Sequence, residues 1–300
     1  MFNFLPAPLI GVICSLFLLV NTVVLCSFIY IPMIIKIILP LTFVQVACTK
    51  LIIIISELWI SINSGWMKLF QKTEWDVEGL EGLNHKGWYL VTSNHQSWVD
   101  IFALQHIFNR RIPFLKFFIK KELIWVPFIG VAWWAMDFPF MKRYSKEYLK
   151  KHPEMRGKDV ETTRKACEKF KEMPVTVVNF VEGTRFTQSK HAKQQSPFPH
   201  LLKPKAGGIA FVMQAMGEQI SQVVNVTLHY PDGIPTFMDF AGGKVKNINI
   251  HVDVMPVSDE LIGDYTGDSE FRVRFQSELN RLWEEKEQTL QSLDAPTSTK

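Results

Sequence analysis

The sequence is poor in cysteine and in net charge. Its 300 residues contain four cysteines, and no two of them form a CxxC pair, so the sequence indicates neither a disulfide framework nor a zinc site. The net charge is only +4, and no run of five or six basic residues occurs, which argues against a nucleic-acid-binding protein. This slight positive excess suits contact with an anionic membrane surface or an anionic substrate.

Charge is missing altogether from the N-terminus. Residues 1–35 contain no charged side chain, and the first one is Lys36. Within this region Leu9–Tyr30 reaches the ~20 apolar residues that a helix needs to cross a ~30 Å hydrocarbon core. It has no basic start and is longer than the apolar core of a secretory signal peptide, which is roughly 7–15 residues. The sequence therefore predicts a membrane-embedded helix.

A second apolar stretch, Ile37–Ile62, is interrupted by Pro40, Lys50 and Glu57. Charged residues are costly at the centre of a bilayer, so this stretch fits a second span, a re-entrant segment, an interfacial helix or a buried helix of the soluble domain. We predict a membrane-anchoring region at residues 1–67, a globular domain at 68–293 and a flexible tail at 294–300. The lysines that follow the first apolar segment favour a cytoplasmic globular domain: Lys36, Lys50, Lys68 and Lys72.

After residue 68, apolar runs typical of strands alternate with helical patterns. The predicted strands are Trp88–Ser93, Val175–Val181, Val223–Tyr230 and the alternating residues 248–254. The predicted helices are Ser97–Phe108, Val160–Glu172, Lys205–Gly217 and Ser269–Leu293. This alternation predicts an α/β fold, with a mixed, largely parallel sheet flanked by helices. Gln188–Pro204, rich in Lys, Gln, Ser and Pro, is predicted to be a mobile loop.

Two polar motifs directly follow predicted strands, where functional groups gather in open α/β sheets. The first contains His95 and Asp100, which a continuous helix would place about 140° apart. They can meet only if His95 lies in the turn before a helix and Asp100 lies in its first turn. Ser97 and Asp100 also match a capping box, which would explain Asp100 without catalysis. The second motif is Glu182–Arg185 (EGTR), whose Arg beside a Gly-containing turn suits a phosphate oxyanion.

These motifs carry a family resemblance. NHQSWVD, with its H-x4-D core, and VEGTR about ninety positions later resemble the first and third signature motifs of the glycerolipid acyltransferases. KKEL and PFIG within residues 120–130 resemble the K-x-x-L…P-x-x-G stretch, and FMKR at 140–143 resembles the end of the second motif. The likeness covers roughly Trp88–Tyr230. It is to the PlsC-like 1-acyl-sn-glycerol-3-phosphate (lysophosphatidic acid) acyltransferases, in particular the bacterial branch typified by YihG proteins.

The resemblance implies a set of residue roles. His95 would be the general base that deprotonates the free hydroxyl of lysophosphatidic acid, and Asp100 would orient its ring. The acceptor phosphate would be held by residues of the other motifs: Glu182, Gly183, Thr184, Arg185, Lys120 and Arg143. The donor would be acyl-CoA or acyl-ACP, and no metal or other cofactor is implied. No G-x-S-x-G elbow is present, so a covalent serine mechanism has no candidate.

The resemblance also implies a setting and leaves alternatives open. The catalytic domain would make phosphatidic acid for phospholipid synthesis, among membrane lipids and on the cytoplasmic side of a bacterial inner membrane. Two departures fall in regions tied to substrate binding: Asp137 replaces the usual Gly of the second motif, and Asn225 replaces the usual Pro of the fourth. The acceptor could therefore be glycerol 3-phosphate or another lysophospholipid. The other alternative is a non-catalytic, membrane-anchored lipid-binding protein.

Overall fold

The computed structural model describes residues 5–141, 151–152, 167 and 173–294. The helix predicted over Val160–Glu172, apart from Cys167, lies outside these residues. So do the motif residue Arg143 and nearly all of the predicted tail.

The chain begins with two long apolar helices, α1 (Ala7–Ile38) and α2 (Thr42–Phe70). Proline disfavours helical backbone at the residue before it and donates no hydrogen bond, so Pro40 explains the break between them. By length and composition, both helices could cross a membrane. The predicted N-terminal apolar helix is therefore present, and the second apolar stretch forms another.

The two helices pack against each other as a hairpin with polar ties inside it. The Asn21 side-chain amide donates to the side-chain oxygen Oδ1 of Asn63 at 2.8 Å, and the Trp59 indole N–H donates to the Thr22 hydroxyl at 3.1 Å. The outward side of α1 is apolar along its whole length, with large exposed side chains at Leu9, Val12, Leu16, Val20, Val24, Phe28, Ile31, Ile35 and Ile38. Their spacing of three or four residues makes one continuous apolar face.

The globular domain touches α1 near both of its ends. At the first turn, a methyl group added to Gly242 would lie 2.7 Å from the Ala7 carbonyl oxygen, so two backbones are in direct contact there. At the last turn, the Lys36 ammonium lies 3.1 Å from the Asp137 carboxylate. These contacts are about 44 Å apart along the helix axis, at about 1.5 Å per residue. The hairpin therefore lies along the globular domain.

The globular domain is built on a six-stranded sheet in the order β1-β8-β7-β2-β6-β3. Its strands are β1 (Glu74–Glu78), β2 (Tyr89–Ser93), β3 (Leu115–Phe117), β6 (Thr176–Phe180), β7 (Gln222–His229) and β8 (Asn247–Pro256). Strands β7, β2, β6 and β3 run parallel, β8 is antiparallel to β7, and β1 is parallel to β8. A separate two-stranded sheet pairs β4 (Ile119–Lys120) with β5 (Phe140–Met141).

Helices cover both faces of the large sheet. The described helices of the globular domain are α3 (Val99–Phe108), α4 (Ile129–Ala135), α5 (Gln188–Gln194), α6 (Ala206–Met216), α7 (Phe237–Ala241) and α8 (Ser269–Asp294), with 3-10 turns at Lys121–Trp125 and Asp259–Leu261. Alternate residues of the central strands enter two cores. Val91, Val178 and Val224 pack towards α3 and the start of α1, and Leu90, Val177 and Val223 pack towards α6 and α8.

The predicted α/β class, with its largely parallel sheet, is confirmed. One local prediction is wrong, because the supposed mobile loop Gln188–Pro204 contains helix α5 and ends in the buried side chains Leu201 and Leu202. The Thr187 hydroxyl accepts the Lys190 N–H and caps this helix. A polar surface helix has no apolar periodicity, so the composition of this segment could not be distinguished from that of a loop.

Candidate active site

The two motifs meet because their strands are parallel neighbours. Ser93 at the end of β2 lies opposite Phe180 at the end of β6, so His95 and Glu182 both follow the same edge of the sheet. The His95 N–H donates to the Glu182 carboxylate at 3.0 Å, and the Phe186 N–H donates to the His95 carbonyl at 2.7 Å. The backbone around His95 is thus held by hydrogen bonds to the EGTR motif and to the residue that follows it.

His95 and Asp100 are in direct contact. The ring Nδ1 lies 2.8 Å from Oδ2 of Asp100, and the Asp100 side chain is fully buried. The same oxygen accepts the backbone N–H groups of Gln96 at 2.6 Å and Ser97 at 2.9 Å. A carboxylate accepts hydrogen bonds, so Nδ1 carries the proton and the lone pair of the neutral ring lies on Nε2.

The second oxygen of Asp100 has a partner that sequence reasoning missed. The Tyr230 hydroxyl donates to Oδ1 at 2.6 Å. Burial, followed by the charge and the hydrogen bond of Asp100, raises the pKa of Tyr230 well above its ordinary value, which keeps the phenol a donor. Tyr230 directly follows β7, the strand on the other side of β2, and no motif pattern marks it.

Asp100 makes contacts that fit both the ring-orienting and the capping interpretation: it lies against the His95 ring, and it forms one half of a capping box. Asp100 accepts the Ser97 N–H, as in one half of a capping box. The Ser97 hydroxyl instead donates to the Pro235 carbonyl at 2.6 Å. One carboxylate therefore starts helix α3 and holds the imidazole ring.

Two further side chains complete the surroundings of His95. The Phe180 ring stacks on the imidazole, with ring centroids 4.0 Å apart and planes 15° apart. The Asn94 side chain donates to the Leu228 carbonyl and accepts the Leu228 N–H, both at 2.8 Å. This extends the pairing of β2 with β7 by one residue. Asn94 belongs to the first motif, whereas Phe180 was predicted only as part of a strand.

Glu182 faces inward. Its carboxylate is fully buried and accepts the N–H groups of His95 and of Leu202, the latter at 3.3 Å. Burial raises the pKa of Glu182 to about 8, although these two hydrogen bonds act in the opposite direction. Its direct contacts are with the loop backbone, so in this structure Glu182 is a positioning residue for His95.

The remainder of the EGTR motif lies nearer the surface, where Gly183 and Thr184 are half-buried and Arg185 is exposed. Gly183 has φ +67, the left-handed conformation that glycine adopts without strain. The Arg185 guanidinium is exposed and lies over the Trp98 ring, 4.7 Å from its centroid. Lys190 of α5 donates from its ammonium to the Thr184 hydroxyl at 2.9 Å and to the Arg185 carbonyl at 2.8 Å. Two cationic groups therefore lie beside the His95 edge, where a phosphate could bind.

Lys190 was missed because it lies in the segment predicted to be a loop. Lys120, which the resemblance assigns to the phosphate, is exposed on the small sheet. Within the described part of the chain, no hydrogen bond joins Lys120 to His95, Asp100 or Glu182, so its role stays a prediction. Among the residues that the structure describes, no group of three or more His, Cys, Asp or Glu side chains is arranged to hold a metal ion.

Both departures from the family pattern have a local structural explanation. Asp137 has φ +58, a conformation that glycine, asparagine and aspartate tolerate best, and its carboxylate binds Lys36. Asn225 lies inside β7, where its side-chain oxygen accepts the Thr92 hydroxyl at 3.0 Å. Asn225 is therefore a buried link between β7 and β2.

The fold and the site together define a class: an α/β protein with an oriented histidine beside an exposed cationic group. The model of the acyltransferase family matches residues 74–230, more than half of the chain. The chain belongs to this acyltransferase family.

Curated relatives of the chain are named as acyltransferases. The 1-acyl-sn-glycerol-3-phosphate acyltransferase 3 of Arabidopsis thaliana is 26% identical over 233 residues, which cover 68% of this chain and 58% of the relative. The delta form of Homo sapiens is 26% identical over 184 residues, covering 57% of this chain and 46% of the relative. The chain thus spans about half the length of these relatives.

A solved structure shares the fold. The 1-acyl-sn-glycerophosphate acyltransferase from Thermotoga maritima superimposes with a TM-score of 0.56, at 17% sequence identity and over 97% of both chains.

Proposed function

We propose that this protein transfers an acyl chain from acyl-CoA or acyl-ACP to the free hydroxyl of lysophosphatidic acid, giving phosphatidic acid. The observation that carries the proposal is the contact of His95 with the buried Asp100, which leaves the lone pair on Nε2. Family membership and the names of the relatives support acyl transfer to a lysophosphatidate.

The chemistry needs one base and no covalent enzyme intermediate. Nε2 of His95 takes the hydroxyl proton as the acceptor oxygen attacks the thioester carbonyl. The tetrahedral intermediate collapses, the C–S bond breaks, and the imidazolium returns the proton to the leaving thiolate. Asp100 stabilises the imidazolium, in the way that a carboxylate supports histidine in serine hydrolases.

The exposed side of the site would bind the acceptor. Arg185 presents a planar fork that matches two phosphate oxygens, and its stacking on Trp98 limits its movement. Gly183 and Thr184 would add the backbone and hydroxyl of the turn, and Lys190 adds a second positive charge. Lys120 and Arg143 stay predicted contributors.

We place the protein at the cytoplasmic face of a bacterial inner membrane, where acyl-CoA and acyl-ACP are available. The two contacts of the globular domain with α1 are farther apart than the ~30 Å hydrocarbon core. A helix that crossed the bilayer would carry these contacts to opposite sides of it. This favours a hairpin that lies along the membrane surface and buries the apolar face of α1.

The test is an assay of the purified full chain in detergent with labelled acyl-CoA or acyl-ACP. The acceptor panel is lysophosphatidic acid, glycerol 3-phosphate, lysophosphatidylcholine and monoacylglycerol. The proposal predicts phosphatidic acid as the main product. Preference for another acceptor would overturn the assignment of lysophosphatidic acid as the substrate. If none of the acceptors is acylated although lipid binding is retained, the non-catalytic alternative is favoured.

A further inference from the structure

A second apolar surface adjoins the hairpin. It consists of large exposed side chains between the small sheet and the end of α4, and we call it the α4 patch: Trp125, Val126, Phe128, Val131 and Trp134. Trp125 is 86% exposed and Trp134 is 48% exposed. Val131 and Trp134 are three residues apart in α4 and share one side of it, and Phe128 directly precedes the helix. Scattered exposed apolar residues are ordinary, whereas a group of this kind indicates a contact surface.

The opposite side of α4 is fixed to the hairpin. Ala132, Ala135 and Met136 are buried in one cluster with Cys26 and Ile29 of α1 and Ile52 of α2. The Ser56 hydroxyl of α2 lies 2.9 Å from the Met136 sulfur, and Lys36 binds Asp137 just beyond the helix. The α4 patch and the hairpin therefore form one packed unit and keep a constant position relative to each other.

The backbone holds Phe128 in an unfavourable conformation. Its φ is +63 and its ψ is −62, and the Ile129 N–H donates to the Pro127 carbonyl at 2.8 Å, which together make a strained γ-turn of the rare type. The Tyr30 hydroxyl of α1 donates to the Phe128 carbonyl at 2.7 Å. Positive φ is an outlier for a bulky residue, and residues in such conformations cluster at functional sites. Here the turn leaves the Phe128 ring exposed.

We infer that the α4 patch is a membrane contact separate from the hairpin, seated in the interfacial layer of the same lipid surface. The inference rests on the membrane association proposed above. Tryptophan is enriched where headgroups meet acyl chains, and the exposed Lys120 and Lys121 directly precede the patch, where their charges suit anionic headgroups. A lipid surface is favoured over a second copy of the chain because the patch adjoins α1 at Phe128, whose carbonyl accepts the Tyr30 hydroxyl, and the next residue of α1, Ile31, is part of its exposed apolar face.

The position of the patch can be tested by photocrosslinking. The full chain would carry benzoylphenylalanine in place of Trp125, Trp134, Ile31 or Val273, in vesicles of equal parts phosphatidylcholine and phosphatidylglycerol. Ile31 reports on the hairpin, and Val273 is a matched exposed apolar control on α8. After irradiation we expect severalfold more phospholipid adduct from positions 125 and 134 than from 273.

The outcomes separate the inference from the proposed function. Adducts at 31 but not at 125 or 134 would overturn the patch and leave the hairpin as the anchor. Protein–protein adducts at 125 or 134 would make the occupant a second copy and also overturn it. Acyl transfer is measured on the same samples, and its absence beside lipid adducts at 125 and 134 would refute the enzyme proposal alone.

A second variant guards against misfolding. Phe128→Gly removes the ring but suits the positive φ, so we expect it to fold at least as stably as the parent chain. In this variant, and in Trp125→Ala, the KM for acceptor embedded in vesicles should rise roughly three- to tenfold. The KM for a short-chain soluble acceptor should not change, and Val273→Ala should change neither. Equal KM values in vesicles for all variants would contradict the inference.

Discussion

His95 and Arg185 follow neighbouring parallel strands, yet the protein holds them in different ways. The His95 ring is gripped by a fully buried carboxylate and stacked on Phe180, and its backbone is bound from Glu182. The Arg185 side chain is exposed, with the Trp98 ring beneath it. The part of the site around His95, which we call the base half, is therefore organised before substrate arrives. The part around Arg185, which we call the anion half, can adjust to the substrate.

The difference follows from what each half has to do. A general base must lie within hydrogen-bond reach of one hydroxyl, and small displacements cost rate. A phosphate can be gripped from several directions, and it brings its own charge to order a mobile side chain. Substitutions in the base half should therefore lower kcat, and substitutions in the anion half should raise the KM for acceptor.

The largest effect is expected from His95→Ala. Loss of a positioned general base lowers kcat by about 10²–10⁴-fold, with membrane association and thermal stability nearly unchanged. His251→Ala is the control, because His251 is a half-exposed histidine on β8. Steady-state kinetics with acyl-CoA and lysophosphatidic acid make the comparison. Near-parental turnover in His95→Ala would remove the base from the mechanism.

Asp100→Asn should follow, with a loss of about 10–10³-fold in kcat. An asparagine oxygen can still accept the N–H groups of Gln96 and Ser97, and its amide can face the oxygen of Tyr230, so helix α3 should still form. What disappears is the charge that supports the imidazolium. Circular dichroism should show an unchanged fold. If kcat also stays unchanged, Asp100 serves only to start the helix.

The sequence predicted the base half better than the anion half. Local periodicity predicted where the strands end, and helix geometry predicted how His95 and Asp100 could meet. Tyr230 could not be predicted, because its contact with Asp100 depends on the order of strands in the sheet. Lys190 was missed because a polar helix lacks the apolar pattern that marks helices. Glu182 was assigned to phosphate because a sequence does not show that its carboxylate faces inward.

Arg185→Ala tests the anion half. Charge-assisted hydrogen bonds are worth roughly 1.5–3 kcal/mol each, so the KM for lysophosphatidic acid should rise about tenfold to a few hundredfold. Arg185→Lys keeps the charge without the planar fork, so its KM for lysophosphatidic acid should lie between those of the parent protein and Arg185→Ala. Monoacylglycerol, which lacks phosphate, should be used equally by all three proteins. A defect confined to the acyl donor would show that the phosphate role is misassigned.

Lys190→Met should have a smaller effect of the same kind. Lys190 holds the turn through Thr184 and the Arg185 carbonyl, and two such hydrogen bonds at a partly exposed site should change KM by about two- to tenfold. Because Lys190 serves acceptor binding, by holding the turn and by its positive charge, kcat should stay constant, and Lys190→Arg should restore most of the loss. Lys193→Met, on the same helix, is the matched control. A fall in kcat instead of a rise in KM would place Lys190 in the base half.

The smallest effect on turnover, and a test of the buried layer beneath the base half, is expected from Lys286→Met. The Lys286 amino group of α8 donates to the Val226 carbonyl and to the Thr227 hydroxyl of β7, and burial lowers its pKa to about 7. Between pH 7 and the ordinary lysine pKa of about 10.4, the unfolded chain holds a proton that the folded chain lacks. The free energy of unfolding of the parent protein therefore rises with pH in this window and falls again as the pH is lowered towards 7.

The methionine variant lacks this dependence, so its Tm relative to the parent should increase by a few degrees from pH 9 to pH 7. A Tm difference that is constant across this range would mean that Lys286 stays charged in the folded protein and is held there by its two oxygen partners.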